Sequence, residues 1–284
     1  MATSVAGYAA RTTKVVTTNS ITGIAGLFSS SGVTLTGNRV YSNSAGSGGG
    51  GVSIAGSDSV ELDGNTIYSN AAKLGGGMYV ARSDGAALTG NVILSNTVTE
   101  GGGGIYLRDD RLATLTNNVI VENQLDSPGC GAGVSVENSE ARMLHTTIAR
   151  NRGGVGGVCA LGGGSVALTN TILVSHATGI QVYGSNTATL EGTLWGGGGW
   201  ANAEDWAGTG AISTGTVDMR GDPAFVDPDG WDYHIGPGSA AINAGVEAGV
   251  ETDIDGDPRP PGRPPDIGAD ERELRVYLPA VLRD

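Results

Sequence analysis

The sequence has few of the residues on which most globular domains depend. Only 5% of its 284 residues are aromatic and 16% are charged, and two are cysteines. No apolar run approaches the ~20 residues that span a bilayer, which excludes a transmembrane helix. The first residues also lack a basic segment followed by an apolar one, so we expect no signal peptide in this chain. Whether Cys130 and Cys159 come close enough to form a disulfide stays open at this point.

Positive charge is scarce as well. The chain has 16 Lys and Arg against 29 Asp and Glu, a formal net charge of −13, and this balance disfavours binding to nucleic acid because phosphate neutralisation needs a basic face. Residues 1–200 contain 12 acids and 10 bases, whereas residues 201–284 contain 17 acids and 6 bases. The shift predicts a boundary near residue 200.

Glycine is abundant: it supplies 50 of the 284 residues, well above the usual ~7%. No G-X-Y triplet repeat is present, which excludes collagen. The glycines belong to an internal repeat of 22–28 residues with seven copies, among them VTLTGNRVYSN (33–43), VELDGNTIYSN (60–70) and AALTGNVILSN (86–96). A glycine-rich turn and an apolar triplet precede most copies. Three short apolar runs per repeat, with no helix-length segment, predict three strands per repeat.

Stacking the repeats ~4.8 Å apart predicts columns of equivalent side chains. The inward columns are Leu35, Leu62, Leu88, Leu115, Met143, Leu168 and Leu190; Val40, Ile67, Ile93, Ile120, Ile148 and Leu173; and Val52, Met78, Ile105, Val134 and Val158. Two columns of asparagine are predicted to share side-chain hydrogen bonds between coils: Asn38, Asn65, Asn91 and Asn118, and Asn43, Asn70, Asn96, Asn123 and Asn151, the second continuing to His176. Gly37, Gly64 and Gly90 fit turn positions with positive φ.

These repeats resemble right-handed parallel β-helix proteins, the superfamily that includes pectate lyases and many bacterial surface proteins. The resemblance covers about residues 20–200. It implies an all-β fold, a right-handed single-stranded parallel β-helix of about seven coils of three short strands, with an irregular C-terminal capping region. We therefore expect an N-terminal strand or cap over 1–22, the β-helix over 23–200 and an acidic capping segment over 201–284. Fold alone does not fix activity.

The last third of the chain carries a second resemblance. The segments GDPAFVDPDGWDYHIGPGSAAINAG (221–245), TDIDGDPRP (252–260) and PDIGADE (265–271) are similar to the choice-of-anchor-type module at the C-terminus of bacterial surface proteins. This resemblance implies a secreted or cell-surface location.

One loop of this tail suggests a metal. Asp253, Asp255 and Asp257 alternate as in calcium loops, although the place of the glycine and the lack of a final glutamate depart from that pattern. Ca²⁺ is the one candidate cofactor, and the alternative is a solvated loop in which Arg259 pairs with Asp266 or Glu271.

Charged residues gather on one outward side of the predicted coils. The predicted columns are Arg82, Asp109 and Glu137, and Asp58, Asp84 and Arg111, with Arg108 and Asp110 beside them. Carboxylates beside a cation on neighbouring coils are the arrangement with which enzymes on this fold act, but alternating signs also make ion pairs between coils. Tyr79 and Tyr106 share an outward column next to this cluster and are candidates for stacking on sugars.

Another outward side is apolar, and it should contact either the chain's own tail or a second subunit. Its residues are Val92, Leu94, Val119, Val121, Ile172 and Val174.

Three hypotheses follow for function. The first is an exported bacterial cell-surface β-helix module, structural or ligand-presenting and not catalytic, whose partner is a polysaccharide or cell-wall component. The second is a polysaccharide lyase or glycoside hydrolase that uses Arg82, Asp109 and Glu137. The third is a self-assembling filament or coat protein. The sequence names no ligand and no oligomeric state.

Overall fold

A β-solenoid makes up most of the molecule. The computed structural model describes residues 15–16, 25–259 and 262–272, so most of the predicted N-terminal segment 1–22 lies outside the described residues. In the described part, the regular elements are β-strands and two short 3-10 helices, η1 (Gly198–Trp200) and η2 (Pro228–Gly230). Strands of successive coils pair in parallel and in register. The predicted parallel β-helix is confirmed.

The strands form four faces, met in the order A, B, C and D along each coil. Face A contains β2 (Ala25–Phe28), β5 (Val52–Ala55), β9 (Met78–Ala81), β13 (Ile105–Arg108), β17 (Val134–Glu137), β20 (Val158–Leu161), β22 (Thr178–Val182) and β24 (Glu204–Gly208). Face B contains β1 (Val15–Val16), β3 (Thr34–Thr36), β6 (Glu61–Asp63), β10 (Ala87–Thr89), β14 (Ala113–Thr116), β18 (Glu140–Leu144) and β25 (Ala211–Thr214). Face C contains β4 (Arg39–Tyr41), β7 (Thr66–Tyr68), β11 (Val92–Leu94), β15 (Val119–Val121), β19 (Thr147–Ala149) and β26 (Asp218–Gly221). The long strands β21 (Ser165–Val174) and β23 (Thr187–Gly196) run through faces B and C. Face D contains β8 (Ala71–Leu74), β12 (Thr97–Gly101) and β16 (Gln124–Leu125).

The coils differ from the prediction in two respects. Three of them have a fourth strand, on face D, because the chain stays extended for two to five residues after the second asparagine before it reaches the glycine-rich turn. Parallel pairing also continues past the expected boundary at residue 200, through β24, β25 and β26 to Gly221. The eight strands of face A therefore mark about eight turns rather than seven.

The core is one continuous set of aliphatic ladders. The three predicted inward columns are confirmed by the strand register, which places Leu88 between Leu62 and Leu115, and their members are buried. The ladders end in tryptophan: Trp195 continues the Ile67 column and Trp206 continues the Met78 column. Trp206 packs against Trp195 with ring centroids 5.6 Å apart, yet it is 42% exposed at the end of the solenoid.

Buried asparagine side chains link the coils beside the core. The Oδ1 of Asn96 accepts hydrogen bonds from the backbone N and the Nδ2 of Asn70, each at 3.0 Å. Its Nδ2 donates to the carbonyl of Ile67 and to Oδ1 of Asn123, also at 3.0 Å. Both predicted asparagine columns show this pattern. The amides satisfy turn backbone groups that the strand ladders leave unpaired.

His176 occupies the next place in the second column, as predicted. Its Nε2 lies 3.3 Å from Nδ2 of Asn151, and its backbone N donates to Oδ1 of Asn202 at 2.9 Å. Burial lowers the pKa of His176 to about 4 despite the hydrogen bond with Asn202. A neutral imidazole therefore replaces the asparagine amide, and a metal is not needed to explain this histidine.

The tail after Gly221 lies along the outside of face C. It contains the antiparallel pair β27 (Phe225–Asp227) and β28 (Asp232–Ile235). A second apolar cluster joins face C to the tail and contains Leu94, Val119, Val121, Ala149, Ile172, Val174, Leu194, Phe225, Tyr233, Ile235, Ala241, Ile267 and Ala269. Five of the six residues of the predicted apolar outward side are buried there, and Val92 packs against them. Self-association through this side is therefore wrong for the folded chain, because its own tail covers it.

One column of left-handed turn residues between faces B and C fixes the tail. The predicted Gly37, Gly64 and Gly90 have φ of 64°, 61° and 61°. The same position in the next coils holds Asn117 and Asn170, with φ of 53° and 51°. Their amides reach the tail: Asn117 donates to the carbonyl of Thr252 at 2.7 Å, and Asn170 exchanges two hydrogen bonds with the backbone of Val246, at 2.7 and 2.8 Å.

We expect Asn96→Ala to lower the free energy of unfolding by about 1–3 kcal/mol, because it removes the acceptor of the buried backbone N of Asn70 and a donor to the carbonyl of Ile67. The side-chain amides of Asn70 and Asn123 each lose one of their hydrogen bonds. Chemical denaturation at pH 7 measures the change. Thr89→Ala is the control, since Thr89 is exposed on the neighbouring strand, and its cost should stay below about 0.5 kcal/mol. Equal losses in the two variants would contradict a stabilising asparagine ladder.

We expect Asn117→Gly to destabilise the tail by about 1–3 kcal/mol, because Arg259 donates to Oδ1 of Asn117 at 3.1 Å and would lose that buried partner. Glycine is the residue that the preceding coils have at this position, so it does not strain the backbone. Asn138→Gly is the matched control: Asn138 also has positive φ, of 49°, but its amide contacts only the exposed Asp109 among the hydrogen bonds described. Limited proteolysis and denaturation of both variants should separate them, and similar effects would argue against docking through this column.

Candidate functional sites

The turn from face D back to face A makes a narrow corner on the outside of the solenoid. Outward residues of face A, such as Tyr79 and Tyr106, meet the residues that end face D. A Cβ on Gly48 would lie 2.8 Å from the ring of Tyr79, and one on Gly101 would lie 3.1 Å from the ring of Tyr106. Glycine at these places therefore makes the room in which the two tyrosines pack.

A disulfide closes the same corner two coils further on. Cys130 follows Gly101 in the face D column, and Cys159 continues the column of Tyr106 and Ser135 on face A. The structure joins Cys130 to Cys159 with their Cα atoms 5.8 Å apart. The bond that the sequence left open thus ties face D to face A in the neighbouring coils.

The two tyrosines pack against each other instead of extending into solvent. Their rings stack with centroids 5.9 Å apart and an interplanar angle of 22°. Tyr106 is 7% exposed, and its hydroxyl donates to Oε2 of Glu137 at 2.6 Å. Burial, and then Glu137, raises the pKa of Tyr106, so its phenol stays protonated as a donor. Tyr106 is too buried to stack on a sugar, whereas Tyr79 is half-buried.

Arg108 is the centre of the charged cluster, although the sequence columns gave that place to Arg82. Its Nε lies 3.5 Å from Glu137 and 3.7 Å from Asp109, and the charge of Glu137 is the main cause that raises the pKa of Arg108. The predicted column was wrong by one residue, because the register pairs Glu137 with Arg108.

The other charged residues predicted for this cluster occupy the adjoining turns. Asp109 lies beside Asn138, whose Nδ2 donates to it at 2.7 Å. Arg82 is exposed at the preceding turn. The second predicted column is present as a turn ladder, in which Asp84 accepts from the backbone of Arg111 at 2.9 Å and its own backbone N donates to Asp58 at 3.0 Å. The side chain of Arg111 is almost fully exposed.

Asp110 points into the solenoid and is not a surface residue. It is 2% exposed and stands in a column of serines: its Oδ1 accepts from the backbone of Ser83 at 2.6 Å, and its own backbone N donates to Ser139 at 3.0 Å. Burial raises the pKa of Asp110 to about 6 in spite of these hydrogen bonds. Asp109 and Asp110 therefore lie on opposite sides of the chain and cannot act as a catalytic pair.

The predicted calcium loop uses its carboxylates differently. Asp253 accepts from the backbone N atoms of Asp255, Asp257 and Glu271 at 2.9, 2.8 and 2.9 Å. Asp257 is exposed. The three aspartates do not converge, and Asp253 supports the backbone of the loop.

The alternative to a calcium site in this loop was an ion pair of Arg259, and this pair is present but buried. Arg259 donates to Oε2 of Glu271 at 2.9 Å, and both side chains are buried. The pairing of Arg259 with Glu271 that the sequence offered is therefore observed, although the pair is not solvated.

Asp255 belongs instead to a cluster that the sequence did not reveal. Nε2 of His234 lies 2.7 Å from Oδ2 of Asp255, and Nδ1 of His234 lies 2.5 Å from Oδ1 of Asp232. Burial lowers the pKa of His234, but the hydrogen bond to Asp232 and the charges of Asp270 and Asp255 outweigh burial, so the net pKa is raised. For Asp270 burial has the opposite effect and raises the pKa, because it disfavours the charged carboxylate.

A cavity of about 260 Å³ adjoins this cluster between the tail and the solenoid. Its walls include Gly64, Gly90, Val92, Trp231, His234, Asp255 and Asp270. Gly64 and Gly90 are the members of the left-handed column that precede Asn117, and a Cβ on Gly64 would meet no atom within 4 Å. The missing side chains at these two turns leave the space open.

A second cavity, of about 380 Å³, lies where the loop Glu247–Glu251 passes His145 and Arg259. Burial, and then the charge of Arg259, lowers the pKa of His145 to about 3. Its Nε2 therefore accepts from Asn170 at 2.9 Å. His145 thus holds Asn170, which binds the tail, and it belongs to the same column as Asn117 and Asn170.

We expect the pH dependence of stability to report Asp110. Its folded pKa of about 6 lies above the reference of 3.8, so the folded chain retains a proton that the unfolded chain loses. The contribution of Asp110 is fully present below about pH 4 and is lost as the pH rises to about 6. Asp110→Ser, which copies Ser83 and Ser139, should raise the melting temperature at pH 7 relative to wild type and give no gain at pH 4. Asp109→Ser is the exposed control, and a gain that does not vary with pH would contradict a protonated Asp110.

A family model and a solved structure are similar to this chain. No helix in the described part of the chain is long and apolar enough to cross a membrane. The crystal structure of pectate lyase Pel9A is similar over 88% of this chain and 70% of that chain, with 15% identity and a TM-score of 0.45. No curated protein sequence matches the chain. The family model described as a right handed beta helix region matches residues 22–195. The chain therefore belongs to the right-handed β-helix family.

Proposed function

We propose that the chain is an exported β-helix module that binds a carbohydrate chain on its surface and does not cleave it. The observation that carries this proposal is the cluster of Arg108, Glu137 and Asp109, which forms an exposed rim at the end of the face A strands, beside Tyr79. Adjacent coils repeat there at the spacing of a parallel sheet, ~4.8 Å. The rim is thus a straight row of hydrogen-bonding groups on a rigid support.

The side chains at this rim suit sugar hydroxyls. The guanidinium of Arg108 and the amide of Asn138 donate, and the carboxylates of Asp109 and Glu137 accept. Their mutual contacts fix their orientation before a ligand arrives, which reduces the entropy lost on binding. The half-buried ring of Tyr79 adds apolar contact for one sugar ring.

The same contacts favour binding over cleavage. Glycoside hydrolases act with two carboxyl groups that face the scissile bond ~5–9.5 Å apart in different protonation roles. Here Glu137 and Asp109 both hold Arg108, Glu137 also accepts from Tyr106, and Asp110 is buried. This arrangement supports a binding surface.

Export is supported by the disulfide and by the tail. Disulfides persist in oxidising compartments and are rare in the cytosol of most organisms, and Cys130 and Cys159 are bonded. The resemblance of residues 221–271 to modules of bacterial surface proteins points to the same location.

We expect affinity electrophoresis against a panel of acidic and neutral polysaccharides to find at least one that retards the protein. Arg108→Ala should weaken that binding at least fivefold, because it removes the donor at the centre of the rim. Arg142→Ala is the control, since it removes an exposed arginine from face B. If no polysaccharide retards the protein, or if both variants lose binding equally, a carbohydrate site at this rim is wrong.

The same panel, assayed for unsaturated products and for new reducing ends, tests the absence of cleavage. We expect no turnover with or without Ca²⁺. Turnover that disappears in Asp109→Ala, with an unchanged circular dichroism spectrum, would show that the chain is an enzyme.

A further inference from the structure

Three side chains from separate parts of the tail converge beside the cavity under Trp231. They are His234 on β28, Asp255 in the turn after Asp253, and Asp270 near the end of the described chain. One ligand atom from each lies within 4.8 Å of the others. We propose that these three residues bind a divalent transition metal ion, with Zn²⁺ as the probe.

The imidazole is held in the orientation that metal ligation requires. Oδ1 of Asp232 lies 2.5 Å from Nδ1 of His234 and also accepts from the backbone N of His234 at 3.1 Å. A carboxylate on the far nitrogen is the usual support of a metal-bound histidine, because it fixes the ring and the tautomer. Nε2 therefore points to the shared space with Asp255.

Backbone hydrogen bonds hold the carboxylate of Asp270 and the turn that carries Asp255. Oδ2 of Asp270 accepts from the backbone N of Ile235 at 2.8 Å, next to His234 in sequence. The turn with Asp255 is fixed because its backbone N donates to Asp253 at 2.9 Å. One oxygen of each carboxylate remains for a metal while the loop keeps its shape. These fixed positions are the preorganisation that a binding site needs.

The donor set selects the kind of metal. Ca²⁺ prefers six to eight oxygen ligands, whereas one imidazole nitrogen and two carboxylate oxygens suit Zn²⁺ and its first-row neighbours. All three ligands line the cavity of about 260 Å³, which leaves room for a water or a small ligand at the fourth position. Trp231, 54% exposed, is part of the wall of this cavity. The site is therefore an open one, with a coordination position toward the cavity.

The other two histidines are not free to bind the added metal ion. The chain has three, and His145 and His176 are buried in hydrogen bonds with Asn170, Asn151 and Asn202. A signal from an imidazole-bound metal in a protein without a histidine tag therefore reports His234.

Isothermal titration of the tag-free, chelator-treated full chain with Zn²⁺ tests the site. We expect one site with a micromolar or lower Kd, and Co²⁺ in its place should give the visible absorption of a protein-bound ion. His234→Asn and Asp270→Asn should each weaken binding at least tenfold. Asp270→Asn can keep the contact with Ile235 through its amide oxygen, so its loss would report ligation and not folding.

Asp257→Asn is the matched control, since it removes one negative charge from the same loop at an exposed side chain outside the cluster. Its Kd should stay within twofold of wild type. Three outcomes overturn the proposal: no binding up to millimolar Zn²⁺, unchanged binding in His234→Asn, or equal weakening by Asp257→Asn and Asp270→Asn. Equal weakening by Asp257→Asn and Asp270→Asn would show general attraction of the metal to an acidic loop. The absence of any Zn²⁺ binding would mean that the cluster is only an ion pair of His234 with its carboxylates. Circular dichroism of each variant separates these results from unfolding.

Discussion

In-register stacking of coils is the constraint on which the rest of the structure depends. Each coil exchanges backbone hydrogen bonds with the coils before and after it, so a residue shares its environment with its two neighbours in the column. A column that faces inward must be aliphatic throughout, and one at a buried turn must satisfy backbone amides in every coil. Asn96 does so with all of its polar atoms. Removing one such residue harms two neighbouring coils at once.

The same constraint explains why the repeat could be read from the sequence and the sites could not. Spacing alone predicted the Leu88 and Ile93 ladders, the asparagine columns and the positive φ of Gly64, because each follows from one coil stacked on the next. Glu137 was placed one residue out of register, although the same pair of strands matches Tyr106 to Ser135 and therefore Arg108 to Glu137 without a shift. His234 and Asp270 are 36 positions apart in a region without a repeat, so only folding brings them together. Asp232 and His234, alternating on one short strand, were the one local signal.

The tail changes the meaning of the acidic composition. A net charge of −13 on a surface would suggest repulsion or a cationic partner, but several of the tail's carboxylates serve its own fold. Asp253 accepts from three backbone amides, Asp266 accepts from Asn243 and Arg272, and Glu271 accepts from Arg259. A segment with little regular structure replaces strand hydrogen bonds with these contacts. Much of the charge is therefore structural, and the unusual part is His234, the one exposed imidazole among the described residues.

The left-handed column between faces B and C sets where the tail is tight and where it leaves space. Asn117, His145 and Asn170 fill that position in consecutive coils and bind the tail or one another. Gly64 and Gly90 occupy it in the two preceding coils, and the cavity lies there. A change from asparagine to glycine along one column therefore converts a docking contact into a cavity wall without altering the backbone, since both residues tolerate positive φ. The solenoid thus controls the shape of the site beside His234 even though none of its side chains supplies a ligand.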